Sequence, residues 1–421
     1  MTQRATAPFA LSRPQDIVNP YPVYRQYRTV DPIHAVPATT PNTVDTWYLF
    51  RYEDAARVLS SQSFGRSARV ARSGLAAAPA LIPDDYRVLK GVVDNWLVFL
   101  DPPRHTRLRS LVMKRFSARV TSGLLPRIQE IADELLVGVR TKSHTDLVED
   151  YAAPFPILVI SELLGVPREH RGWMRDCAVA LQEANSSRTG DAHKRYATAE
   201  AAAGRLHDYF LDEVRGRRRR QQGDVIAWLV GSEDGFEPLT DEEIVSTCIH
   251  LLTAGHETTT NLISKSVLAL LAHPVVLEEL RTAPQLMANA VDELIRYDSP
   301  VQMITRWAYQ DEMIADRTIR RGSKVVLVLG SANRDPERFP DPDTLDIRRN
   351  TSRHCGFGMG IHYCLGAGLA RIEAEIGLTT LLRGMPHLAL GEEPVQYAED
   401  LVFHGPSRLL LRTGIPTRPR R

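Results

Sequence analysis

One stretch of this chain dictates the architecture more than any other. Thr240 and Glu243 form a capping-box pattern, and no proline follows until His273-Pro274. Small or apolar residues recur along the stretch at Ile244, Cys248, Leu251, Gly255, Thr258, Leu262 and Ala269. The pattern predicts a helix of roughly thirty residues, about 45 Å long, which would traverse the whole molecule. Everything else has to pack around it, which points to a mainly α fold.

The remaining periodicity agrees. Residues 104–215 read as helices interrupted at Pro126, Pro154 and Pro167, and a shorter helix is expected from about Pro284 to Tyr297. Residues 14–60 read as helix, hairpin, helix, with strand-like runs at Ile33–Val36 and Trp47–Phe50. Further strand-like pieces at Glu312–Ile319 and Leu409–Arg412 make up a small β region. Between Gly65 and Asn95 the pattern weakens, as expected of a long binding loop. Arg217–Arg220 reads as a solvated loop. No repeat or linker divides the chain, so residues 1–421 are expected to form a single domain.

Composition narrows the function. A net charge of +1 favours neither nucleic acid nor an acidic membrane surface as partner. The polar, proline-punctuated start has no apolar run of signal-peptide length, and Pro154–Gly165 and Lys324–Gly330 are too short to span a bilayer. No membrane anchor is therefore expected. Cys177, Cys248, Cys355 and Cys364 lack paired spacing, which suits a reducing cytoplasm and leaves a thiol available for a metal.

The chemistry gathers at Phe357-Gly-Met-Gly-Ile-His-Tyr-Cys-Leu-Gly-Ala-Gly-Leu-Ala-Arg371. Glycines let backbone approach a large flat ligand, and a helix expected over Leu365–Leu382 would place Cys364 near its N-terminus, where a thiolate is stabilised. The order Phe-x-x-Gly-x-x-x-Cys-x-Gly, with Phe357, Gly360, Cys364 and Gly366 in place, resembles the haem-binding signature of the cytochrome P-450 superfamily, in its soluble bacterial form. Cys355 is the rival ligand but lacks the following glycine pattern.

The resemblance extends along nearly the whole chain, from Tyr48-Leu-Phe-Arg-Tyr-Glu-Asp through Ala332-Asn-Arg-Asp-Pro336 to the final strands. It implies the cytochrome P-450 fold enclosing haem b, with Cys364 as axial ligand of the iron; an anionic sulfur there favours O–O cleavage. Ala254-Gly-His-Glu-Thr-Thr259 is similar to the family's oxygen-side motif, in which Ala254 lies against the cofactor and Glu257 and Thr258 relay protons toward dioxygen. Neighbouring helical residues point about 100° apart, so such a relay needs water or a moving carboxylate. Asp101-Pro-Pro-Arg-His-Thr-Arg-Leu-Arg109 resembles the start of the propionate-binding helix, implicating His105 and Arg109. Arg306 and His362 match further propionate contacts. Glu293 and Arg296 match a buried structural pair, to be completed by Arg338 or Arg334; Thr344 stands where many members carry arginine, which leaves that third partner open.

The activity implied is a monooxygenase that inserts one oxygen atom from O2 into a small organic molecule, by hydroxylation or epoxidation, in secondary-metabolite biosynthesis. Electrons would come from a ferredoxin or similar protein, since the chain has no room for a reductase domain. Lys114, Arg115 and Arg119 would supply part of its docking face. Leu251, Met303, Ile304 and Phe403 are candidate substrate contacts, with the loop 65–98 and the region 173–200 beside them. Two other readings are a peroxide-driven haem peroxygenase, which would not need Glu257 and Thr258, and a non-catalytic haem sensor, which would need an output domain.

Overall fold

The computed structural model describes residues 9, 11, 13–40, 43–75, 80–115, 118–185, 191–219, 224–231, 237–398, 400 and 402–414. Its axis is the helix Asp241–Ala272. Thr240 Oγ1 accepts the Glu243 amide at 3.2 Å and the Glu243 carboxylate accepts the Thr240 amide at 3.1 Å, which closes the capping box. Asp241, Glu242 and Glu243 put negative charge on the first turn, where the helix dipole favours it. Pro274 cannot continue the ladder, and the chain turns at His273. Helices Pro154–Leu163, Arg171–Asn185, Ala192–Arg219 and Ala367–Gly384 surround this axis.

Between Ile244 and Val267 every residue of the central helix is buried except His250, Leu251, Ala254, Gly255 and Thr258. At 100° per residue these five fall within an arc of about 140°. One side of an otherwise packed helix therefore faces open space inside the protein.

Five strands form the main sheet: β1 (Ile33–Val36), β2 (Thr46–Leu49), β3 (Phe64–Gly65), β4 (Met303–Ala308) and β5 (Lys324–Val328). Their spatial order is β1-β2-β5-β4-β3, and only β2 and β5 pair in parallel. Strand alternation splits β4 between two clusters. Met303 packs with Phe9, Tyr21, Tyr24 and Phe50, while Ile304 lies against Ile33, Leu49 and Leu327. A smaller sheet joins His144–Asp146, Leu410–Arg412 and Ala389–Leu390.

Two charged networks lock distant segments together. Arg296 forks onto Glu293 at 2.7 and 2.8 Å, with both side chains fully buried. Its remaining donors reach the carbonyls of Asn333, Pro342 and Thr344. The third charged partner is Arg349, 3.3 Å from Glu293, and neither Arg334 nor Arg338. Arg334 instead binds Asp343 and the Tyr297 carbonyl, and Arg338 lies over Tyr52. The second network centres on Lys265, whose ammonium meets Asp298 at 2.7 Å, His404 Nδ1 at 2.8 Å and the Ser299 carbonyl at 2.9 Å. The Tyr21 hydroxyl donates to Asp298 at 2.6 Å.

Several local expectations need correction. Pro126 lies inside the helix Ala118–Arg140 instead of ending one. Arg217–Arg219 finish the helix Ala192–Arg219, where Arg217 pairs with Glu213 and Asp224 and Arg218 with Asp241, so these are ion-paired and not merely solvated; residue 220 lies outside the described residues. The weak region after Gly65 contains the helices Ala68–Ala71 and Arg87–Val93 and a 3₁₀ turn at Leu97–Phe99. The helix expected from Pro284 begins at Met287, after a single 3₁₀ turn.

Candidate active site

The cysteine loop is shaped by its glycines. Gly360 has φ +66°, and a Cβ there would sit 2.4 Å from the Leu59 carbonyl oxygen, so no other residue fits. The turn then brings the Cys364 amide onto the Phe357 carbonyl at 2.8 Å. The following helix starts at Ala367 with Gly366 as its N-cap, slightly later than the sequence pattern suggests. A Cβ at Gly366 or Gly368 would meet no protein atom within 4 Å, which leaves room for a flat ligand.

Burial raises the Cys364 thiol pKa, and the Gly366 amide, Arg109 and Arg371 offset this only in part. Cys364 is nonetheless exposed, whereas Cys177, Cys248 and Cys355 are buried. A group that lies deep in the protein and still has open surface borders an internal cavity. Cys355, by contrast, is fully enclosed, and burial pushes its thiol up to about 12.

Around this space lies a surplus of positive charge. The rings of His105 and His362 are 4.3 Å apart, and the Nε2 atom of each is buried without a partner among the described residues. Burial and the nearby Arg306, His105, Arg66 and Arg109 push His362 down to about 2. Arg306 is 4% exposed, and its guanidinium donates to the carbonyl of its neighbour Thr305. Burial, followed by repulsion from Arg66, lowers it to about 9. Arg109 donates to the Tyr363 carbonyl at 2.6 Å, which ties it to the cysteine loop. Asp101 is the nearby anion, and it already accepts the amides of Arg66 and Ser67 and the Tyr309 hydroxyl. Orphaned donors and buried cations in this number call for anionic oxygens. The two propionates of haem fit that need.

Arg66 is the member of this cluster that sequence reasoning missed. It stands in the weakly patterned loop, and only the fold carries it to Arg306 and Asp101. Glu373 was also missed: it is 3% exposed, bonded to Thr259, and pushed up to about 8 by burial.

On the helix facing the cavity, Thr258 Oγ1 donates to the Ala254 carbonyl at 3.0 Å. Thr253, Thr260 and Ser264 make the same bond to the residue four earlier, but all three are buried. Thr258 alone among these four reaches open space. Glu257 is buried, off that exposed arc. Among the candidate substrate contacts, Leu251 and Ile304 are half-buried, and Phe403 is held by a bridge to Val301. Met303 is separated from them, in the aromatic cluster behind the sheet. The side chains of Lys114, Arg115 and Arg119 lie outside the described residues. A groove of about 630 Å³ also borders the cysteine loop, lined by Tyr52, Asp292, Arg338, Phe357 and Arg371 among others. It includes no residue of the central helix, so it is distinct from the cavity.

Comparison with known proteins agrees with this geometry. Residues 188–403 match the family model for cytochrome P450. The cytochrome P450 monooxygenase PikC of Streptomyces venezuelae is 37% identical over 408 residues, covering 96% of this chain and 92% of PikC. The polyketide biosynthesis cytochrome P450 PksS of Bacillus subtilis is 34% identical over 394 residues, covering 92% and 94%. Among solved structures, P450BioI in complex with an acyl carrier protein ligated to hexadec-9Z-enoic acid superposes with a TM-score of 0.85 at 36% identity, covering 94% of this chain and 99% of that one. Likeness at this level along almost the entire length allows one conclusion: the chain belongs to the cytochrome P450 family and is a haem-dependent monooxygenase.

Proposed function

We propose that Cys364 is the axial ligand of the haem iron, that Arg66, His105, Arg109, Arg306 and His362 hold the propionates, and that the enzyme oxidises an elongated secondary metabolite. The observation that carries this reading is Cys364, deep yet open, beside the buried Arg306 and two imidazoles whose Nε2 atoms have no partner among the described residues. Bound haem supplies the activation of dioxygen, with a thiolate ligand favouring O–O cleavage.

The chain's own groups would do the rest. Phe357, Gly360 and Gly366 shape the loop around the sulfur. Ala254 and Gly255 keep the opposite wall free of bulk. Thr258 Oγ would orient a proton at the cavity surface, and Glu257 would carry protons to it from the buried side of the helix. Leu251, Ile304 and Phe403 would meet substrate. The secondary-metabolite class is supported by the names of PikC and PksS. The long acyl chain bound by P450BioI supports an elongated ligand.

Electrons would come from a ferredoxin-type protein. Among the described residues no single helix is long and apolar enough to cross a membrane, and the cysteines are free. Both facts support work in a reducing cytoplasm. The test is the reduced carbon monoxide spectrum of the haem-loaded chain. Cys355→Ser should keep the thiolate-type band, and Cys364→Ser should lose it; the reverse outcome overturns the ligand assignment.

A further inference from the structure

The cavity arc of the central helix contains one polar ring, His250. Its plane stacks on Trp96, 12° from parallel with centroids 5.1 Å apart. Trp96 stacks in turn on Phe99 at 6.2 Å and 10°, and the Arg66 guanidinium lies over the Phe99 ring, 5.2 Å from its centroid. Stacking on Trp96 sets the plane of the imidazole. Neither ring nitrogen of His250 has a hydrogen-bond partner among the described residues. The indole Nε1 of Trp96, a residue only 4% exposed, also lacks one. Burial alone lowers His250 to about 4, so at neutral pH it is an uncharged ring with one donor and one acceptor. It is nevertheless only half-buried. As at Cys364, depth combined with open surface means that it faces the cavity.

Resting on the haem-thiolate reading above, we propose that His250 is a specificity-determining contact that hydrogen-bonds a neutral oxygen, hydroxyl or carbonyl, of the substrate. Ala254 lies one turn further along the helix, about 6 Å away, and Thr258 two turns, about 12 Å. The substrate is therefore an elongated molecule with a polar oxygen set well away from the carbon that is oxidised. A free carboxylate is disfavoured, because a neutral imidazole offers it no opposite charge. A purely hydrocarbon end is disfavoured too, because it would leave the ring unpaired.

The test uses 1-alkylimidazoles of increasing chain length, ending in either hydroxyl or methyl, titrated into the haem-loaded full chain and followed by the shift in haem absorbance. The imidazole end anchors each probe at the iron, so chain length measures the reach to His250. At one length the hydroxyl probe should bind roughly three- to tenfold more tightly than its methyl partner. His250→Phe keeps the stack and should abolish that preference while leaving methyl-ended probes unaffected. His250→Gln should restore part of it. An equal hydroxyl preference in His250→Phe, or no preference at any length in the parent chain, overturns the proposal. The carbon monoxide band, recorded first on the same samples, tests the haem-thiolate reading by itself; its absence would remove both readings together.

Discussion

At the scale of single residues, burial decides most of the chemistry. Glu373 is the clearest case, a carboxyl pushed up to about 8 because its charged form would stand in dry protein. Its folded pKa lies above its ordinary value of 4.5, so between those limits the native state holds a proton that the unfolded chain has lost. Stability is then greatest below about 4.5 and falls as pH rises toward 8, by at most about 1.4 kcal/mol per pH unit. Glu373→Gln should flatten this part of the profile and gain most over the parent chain near pH 8. Melting temperatures of the two proteins across the window check it; parallel profiles would refute the assignment. No sequence pattern marks Glu373, because its pKa follows from what packs around it. The same holds for Arg66 and His250. Cys364 was legible because a spacing of glycines announces it locally.

Among the elements, the central helix was the most legible, since its cap, its proline stop and its small residues all lie within one stretch. Its cavity arc was only half legible: periodicity fixes which residues share a side, but not which side is left open. The hydroxyl of Thr258 bonds to a carbonyl already inside the helix ladder, so removing it should leave the helix standing. Thr258→Ala is expected to retain haem and substrate affinity but to divert reducing equivalents into hydrogen peroxide, with product falling several-fold. Cofactor consumption, peroxide and product measured on one sample decide the matter, and unchanged coupling would exclude Thr258 from proton delivery. Pro126 teaches the opposite lesson. A proline was read as a break, yet the helix Ala118–Arg140 runs through it, held by packing against the helix Ala367–Gly384.

Across the whole molecule, buried ion pairs tie together segments that are far apart in sequence. Lys265 and Asp298 join the central helix to the approach of β4, and Tyr21 and His404 bring in both ends of the chain. Asp298→Asn strands an ammonium in the interior and should cost about 3–5 kcal/mol. Adding Lys265→Met should recover most of that loss, which urea unfolding of the single and double variants would measure; equal midpoints for the two would show that the pair is not the cause. Such pairings are illegible in sequence because nothing local distinguishes Lys265 from a surface lysine. The cluster of arginines and imidazoles beside Cys364 is assembled in the same long-range way. Arg66, His105 and Arg109 come from the early part of the chain, and Arg306, His362 and Cys364 from the late part. During synthesis, then, no fragment lacking the late segments has a pocket to fill. On the haem assignment proposed above, capture of the cofactor would have to wait until the late segments are made, and a chain that folds without it would leave Arg306 buried beside two imidazoles whose Nε2 atoms have no partner among the described residues.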